Sequence, residues 1–179
     1  KNLNTLINET AGIDRYNNMQ FLSSSSSGTT AKASSVLNNN SKLYGPMNAL
    51  DNNNESSCWN SDGDADGNTA ISFIVSFHRS VTVKELRIQF QGGFVAEECT
   101  LFLASSSVSE KGGVKTEWKE LEDSFMEPED SNEMQCFDLT EESENDRLCD
   151  SLKIEFRSST DFYGRVTIYK LEVWGDQTQ

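Results

Sequence analysis

A chain of 179 residues and 20.0 kDa fits one domain built on a single core. Mean hydropathy is −0.58, yet ten Phe and three Trp can fill that core, and no apolar run reaches the roughly 18 residues of a membrane-spanning helix. Asp and Glu number 29 against 15 Lys and Arg, and the net charge of −14 argues against nucleic acid as a partner, because it repels a phosphate backbone.

Residues 1–32 are rich in Asn, Ser and Thr, with the run Ser23 to Ser27 ahead of Gly28, and read as a low-complexity N-terminal tail. Its scattered Leu3, Leu6, Ile7, Ile13, Tyr16 and Phe21 are suited to docking on a partner. The folded domain is expected over residues 33–176, with 177–179 as the C-terminal end.

From Ala33 onward the apolar residues take a period of two. In Thr69 to Phe77, Ile71, Phe73, Val75 and Phe77 alternate with Ala70, Ser72, Ile74 and Ser76; Val81 to Phe90 repeats the pattern. Thr100 to Ala104, Met134 to Leu139, Leu152 to Phe156 and Val166 to Trp174 continue the series. The expectation is an all-β antiparallel sandwich of the jelly-roll type.

Between Glu117 and Asp150, 14 acidic residues stand against Lys119 and Arg147 alone, so nearly all the net charge sits there. The plain reading is a solvated loop or hairpin; the sharper one is an electrostatic contact for a protein partner with a basic surface.

Four cysteines, Cys58, Cys99, Cys136 and Cys149, are too far apart for a zinc or CxxC redox site and read as free thiols. That favours an intracellular protein of the nucleus or cytoplasm, while a start at Lys1 leaves room for an organelle reached with a targeting peptide since removed. Asp62, Asp64, Asp66 and Gly67 imitate an EF-hand start, but Phe73 stands where the closing Glu belongs. His78, the only histidine, has no nucleophile signature beside it and reads as a surface residue.

Five blocks then stand in order: Ala33-Ser34-Ser35, Asn48-Ala49-Leu50-Asp51, Ser57-Cys58-Trp59-Asn60-Ser61, Ile88 to Gly93, and Leu171 to Gly175. Together they resemble discoidin or coagulation-factor type C domains, which are galactose-binding-like jelly rolls. The run Thr160 to Tyr169, with Cys58 to Ser61 and Ile88 to Phe94, is also similar to a small family of single-domain nuclear receptor-associated proteins. The resemblance implies a non-enzymatic binding protein, an adaptor or a subunit of a larger assembly that represses by protein contact. The alternative it implies is a lectin-like module binding a glycan.

In the resembled domains loops at one end of the sandwich form the ligand surface. Here these are Leu37 to Pro46, Asn60 to Asn68 and Gln91 to Glu98, offering Tyr44, Asn60 and Phe94. Phe162, Tyr163 and Arg165 join them if their loop lies at the same end; the competing expectation is that both aromatics are core and Arg165 pairs with Asp161. No other cofactor is implied, but sugar-binding relatives hold a structural calcium, and the matching positions are Asp51, Asn54, Ser57 and Glu172. This loop is one residue longer than the common pattern, and Asn54 stands where an acid is frequent. Trp59 is expected in the core.

Overall fold

A computed structural model describes residues 19–51, 57–63, 70–108, 114–121, 126–140 and 147–178. In chain order the elements are β1 (Gln20–Phe21), β2 (Thr30–Ala33), the short helix α1 (Ser41–Tyr44), β3 (Trp59–Asn60) and β4 (Ile71–Phe90). β5 (Glu98–Val108), β6 (Val114–Glu120), β7 (Met134–Asp138), β8 (Leu148–Arg157) and β9 (Thr167–Gln177) complete the chain. Every ladder among them is antiparallel, the pairing in which alternating apolar and polar residues are common because one face of the sheet is buried and the other solvated.

The two strands expected around residues 71 and 81 are one bent strand. The first half of β4, Ile71–Ser76, lies between β2 and β8. The second half, to Phe90, lies between β9 and β7. Between them the ladder to β8 slips from Ser76 to Val81, and His78 turns the backbone with φ of 56°. There the strand leaves one layer of the sandwich for the other.

Aromatic side chains fill the space between the layers. Phe90, on the second half of β4, meets Phe156 of β8 edge-on at 6.3 Å. Trp59, whose strand is laddered to β9, reaches across to Phe73 at 5.1 Å and Phe156 at 5.8 Å. Its indole Nε1 donates to Ser35 O at 3.1 Å, so the ring is buried without an orphaned donor. Trp59 is core, as expected.

The folded domain begins before Ala33, which corrects the tail boundary. Leu22 is 1% exposed, its N–H donates to Val173 O, and Phe21 packs on Trp174 at 5.4 Å. Ser23 and Thr29 are buried too. Ser23 Oγ accepts from Val173 N at 2.9 Å, and Thr29 Oγ1 donates to Leu22 O at 2.9 Å. Arg79 ties the segment down: its Nη atoms donate to Leu22 O, Ser27 O, Ser27 Oγ, Thr29 Oγ1 and Phe77 O. Residues that look unfit for burial by composition are buried because each hydroxyl and carbonyl has a partner. At the other end β9 runs through Gln177, and Thr178 N–H donates to Ser80 O. Residues 1–18 lie outside the described residues.

The acidic stretch contains regular structure rather than one solvated loop. β6 is the edge partner of β5, β7 pairs with the second half of β4, and Leu121, Met126 and Leu139 are buried. All four cysteines are free. Burial raises the thiol pKa values of Cys99 and Cys149, the latter to about 12, so both stay protonated at neutral pH. Among the described residues no helix is long and apolar enough to cross a membrane.

Candidate binding site at the loop end of the sandwich

The segment Asp161-Phe162-Tyr163-Gly164 has the composition of a tight turn, with Asp first and Gly fourth. The structure closes it: Gly164 N–H donates to Asp161 O at 2.9 Å, and Gly164 takes φ of 73°. Asp161 Oδ2 also accepts from the Tyr163 and Arg165 N–H groups, each at 3.1 Å. The two aromatics therefore occupy the tip and point outward, Phe162 94% and Tyr163 61% exposed. Their rings pack edge to face at 5.3 Å. This corrects the expectation of a core position for both.

Arg165 fixes the base of the turn. Its Nε and Nη2 fork onto the Asp161 carboxylate at 2.9 and 3.0 Å, while its guanidinium carbon lies 4.9 Å from the Phe94 ring centre and 5.4 Å from that of Tyr163. The pairing of Arg165 with Asp161 was expected; its position between two rings was not. The hydrogen bond from Arg165 holds the Asp161 carboxyl below its ordinary pKa. A depressed carboxylate stabilises the fold above its unfolded pKa, so the clamp is intact at neutral pH and weakens only as pH falls through the lower folded value.

Other loops brace the turn. Thr160 and Val95 exchange hydrogen bonds, Val95 N to Thr160 Oγ1 and Thr160 N to Val95 O. Ser61 and Val166 do likewise, Ser61 N to Val166 O and Val166 N to Ser61 Oγ. Asn38 N–H donates to Asp62 Oδ1 at 2.9 Å, joining the loop after β2 to the loop after β3. On its far side the turn at Gly92 and Gly93 is held from the acidic stretch, Gly92 N by Asn132 Oδ1 and Gly93 N by Asp130 Oδ1.

Of the residues singled out in the sequence, Phe94, Phe162, Tyr163 and Arg165 come together. Tyr44 is half-buried in α1, beside β3, and makes no ring contact with them among the described residues. Asn60 sits opposite Thr167 in the ladder with its Oδ1 buried, so its side-chain oxygen faces the fold rather than a ligand. Asp161 was named only as a partner for Arg165 and Asp62 only as an EF-hand-like acid, while Gly63, Asp130 and Asn132 were not singled out. A signal existed for the first, the Asp-x-x-Gly spacing.

Two members of the expected calcium set, Glu172 and Ser57, already have protein partners. Glu172 Oε2 accepts from Trp174 Nε1 at 2.9 Å and lies 4.0 Å from Arg87 Nη1, so this carboxylate already serves an indole and a guanidinium. Ser57 Oγ donates to Asn48 O at 3.0 Å, and Asn54 lies outside the described residues. Among the described residues no three His, Cys, Asp or Glu side chains group as a metal site. Of the EF-hand-like acids, Asp62 is described and receives Asn38 N–H, whereas Asp64 and Asp66 lie outside.

Gly63 packs under the turn without a side chain. A Cβ built there would stand 2.3 Å from Tyr163 O, a backbone atom. Gly63→Ala is therefore expected to push the aromatic turn outward, shifting the amide resonances of residues 161–165. A crowding cost of about 1 kcal/mol lowers the melting temperature by about 2–4 °C. Unmoved resonances would show that the turn is not braced from this side.

No protein-family model matches the chain. Three curated proteins called nuclear receptor 2C2-associated protein are similar along most of its length. That of Xenopus laevis is 37% identical over 150 residues, covering 84% of this chain and 96% of its own. That of Danio rerio is 36% identical over 83% of this chain and 92% of its own, and that of Homo sapiens 36% over 83% and 93%. Among solved structures, a chitosan-binding module from a Paenibacillus chitosanase/glucanase superposes with a TM-score of 0.64 at 17% identity, covering 87% of this chain and 99% of the module. An F5/8 type C domain from Bacteroides fragilis gives 0.64 at 14% identity, covering 85% and 94%. A galactose-bound family 32 carbohydrate-binding module from Clostridium perfringens gives 0.56 at 16%, covering 88% and 99%. At these identities the structural likeness establishes a galactose-binding-like fold and no ligand.

Proposed function

Because the chain belongs to the family of the nuclear receptor 2C2-associated proteins, we propose that it is a non-catalytic protein-binding module, an intracellular adaptor or regulator. In this reading it engages a nuclear receptor of the 2C2 type through the turn Asp161–Gly164. The observation that carries it is the exposure of Phe162, 94%, beside a half-open Tyr163 on a turn already pinned by Asp161 and Arg165. Exposed aromatics on a fixed backbone are what interface hot spots are made of, and prior ordering lowers the entropy lost on binding.

The glycan alternative draws on the same rings. A sugar site needs free hydrogen-bond donors beside an open ring face. Arg165, the cation within the cluster, directs both Nε and Nη2 to Asp161, which favours protein contact. A catalytic role for His78 gains no support from its surroundings. The residue sits at the β4 corner, away from this site, with Nε2 2.8 Å from Thr30 Oγ1.

The test is calorimetric titration of the full chain with purified nuclear receptor 2C2. Saturable binding at about micromolar Kd or tighter supports the proposal; no heat at concentrations well above that overturns it.

A further inference from the structure

The acidic stretch and the aromatic turn, far apart in sequence, meet across one loop. Gln91 to Ala96 is held on one side by Asp130 and Asn132 and on the other by Thr160, with the Phe94 ring against Arg165. Along the acidic side stand Glu97, Glu98, Glu127, Glu129, Asp130 and Glu133, all exposed. Of the cations close by, Arg157 faces Glu98 across the β5–β8 ladder, and Arg165 is clamped by Asp161.

We infer that the partner surface docking here is cationic and presents arginine: a guanidinium laid on the exposed ring of Phe162, with the carboxylates of Glu127, Glu129 and Glu133 on the neighbouring side of the loop to meet its charge. This rests on the turn being the contact surface. The juxtaposition favours one partner chemistry, since an exposed ring on one side of the loop and exposed carboxylates on the other repel phosphate and attract cations. The chain already sets a cation on a ring beside a carboxylate, once with Lys153 over Phe102 beside Glu155 and twice with arginine. Arg165 lies over Phe94 and Tyr163 while forked onto Asp161, and Arg87 lies 4.7 Å over Trp174 beside Glu85 and Glu172. Arginine suits the site better than lysine because its planar, weakly hydrated head both stacks and forks. The field of a chain carrying −14 draws such a surface in and fixes its orientation.

The probe is a peptide of alternating Gly and Arg, with a Gly–Glu twin as control, added to the full chain and followed by amide chemical shifts. The Arg peptide is expected to move residues 91–98, 127–133 and 161–165, and the twin to leave them in place. Salt at about 1 M, where the screening length is about 3 Å, abolishes the shifts. The triple substitution Glu127→Gln, Glu129→Gln, Glu133→Gln weakens binding about tenfold without lowering the melting temperature. Shifts elsewhere, equal binding of the twin, or an unaffected triple variant each overturn the inference. If receptor 2C2 still binds in those cases, the proposed function stands without it. If the Arg peptide maps to the turn while the receptor fails to bind, the cationic preference stands and the receptor reading falls.

Discussion

Removal of residues 1–32 abolishes cooperative folding. The deletion takes away Leu22, a core side chain whose loss alone costs about 2–5 kcal/mol, and with it the ladders of β1 on β9 and β2 on β4. It also strands Arg79, four of whose five acceptor contacts come from Leu22, Ser27 and Thr29. A guanidinium that keeps only Phe77 O as a protein acceptor loses about 1 kcal/mol or more besides. Against a total stability of about 5–15 kcal/mol, the sum leaves little or no folded population. Thermal unfolding followed by circular dichroism checks it. A cooperative melt within a few degrees of the intact chain would restore the view of these residues as a dispensable tail.

The paired substitution Phe162→Ala, Tyr163→Ala reduces affinity for the receptor partner about 100-fold or more and leaves the melting temperature unchanged. The binding loss follows from removing two neighbouring anchor side chains, each of a kind that costs about 2 kcal/mol or more at an interface centre. Unchanged stability follows from exposure: rings that are largely in water when the chain is free contribute little to folding. Asp161, Gly164 and Arg165 are retained, so the turn keeps its shape. Undiminished affinity in a folded double variant would remove the turn from the interface.

The layered core was legible because Phe73, Val75, Leu86, Ile88, Leu152 and Ile154 alternate strictly, and alternation is a direct consequence of the pleat. The bend in β4 was not, because His78-Arg79-Ser80 carries no Gly or Pro, and a positive φ at histidine leaves no compositional trace. Ser23 and Thr29 misled for a related reason. Polarity predicts exposure only where hydrogen-bond partners are lacking, and Val173 and Leu22 supply them from places that sequence distance hides.

The site was half legible. Phe94 and Arg165 were reached through the ligand loops of the resembled domains, and the pairing of Arg165 with Asp161 stood as the competing expectation. Phe162 and Tyr163 were weighed towards the core because aromatics before a strand commonly are, although the Asp-x-x-Gly frame around them already specified a turn tip. The support from Asp130 and Asn132 could not be read at all, since it depends on β7 pairing with β4 and bringing the acidic stretch against Gly92 and Gly93.

The most direct test is an amide hydrogen-exchange footprint of the full chain, free and saturated with nuclear receptor 2C2. The account predicts new protection at residues 91–97 and 160–165, the two segments joined by the Val95–Thr160 exchange of hydrogen bonds. Protection confined to the β6 edge or to the β4 corner around His78, with the aromatic turn exchanging as in the free chain, would contradict it.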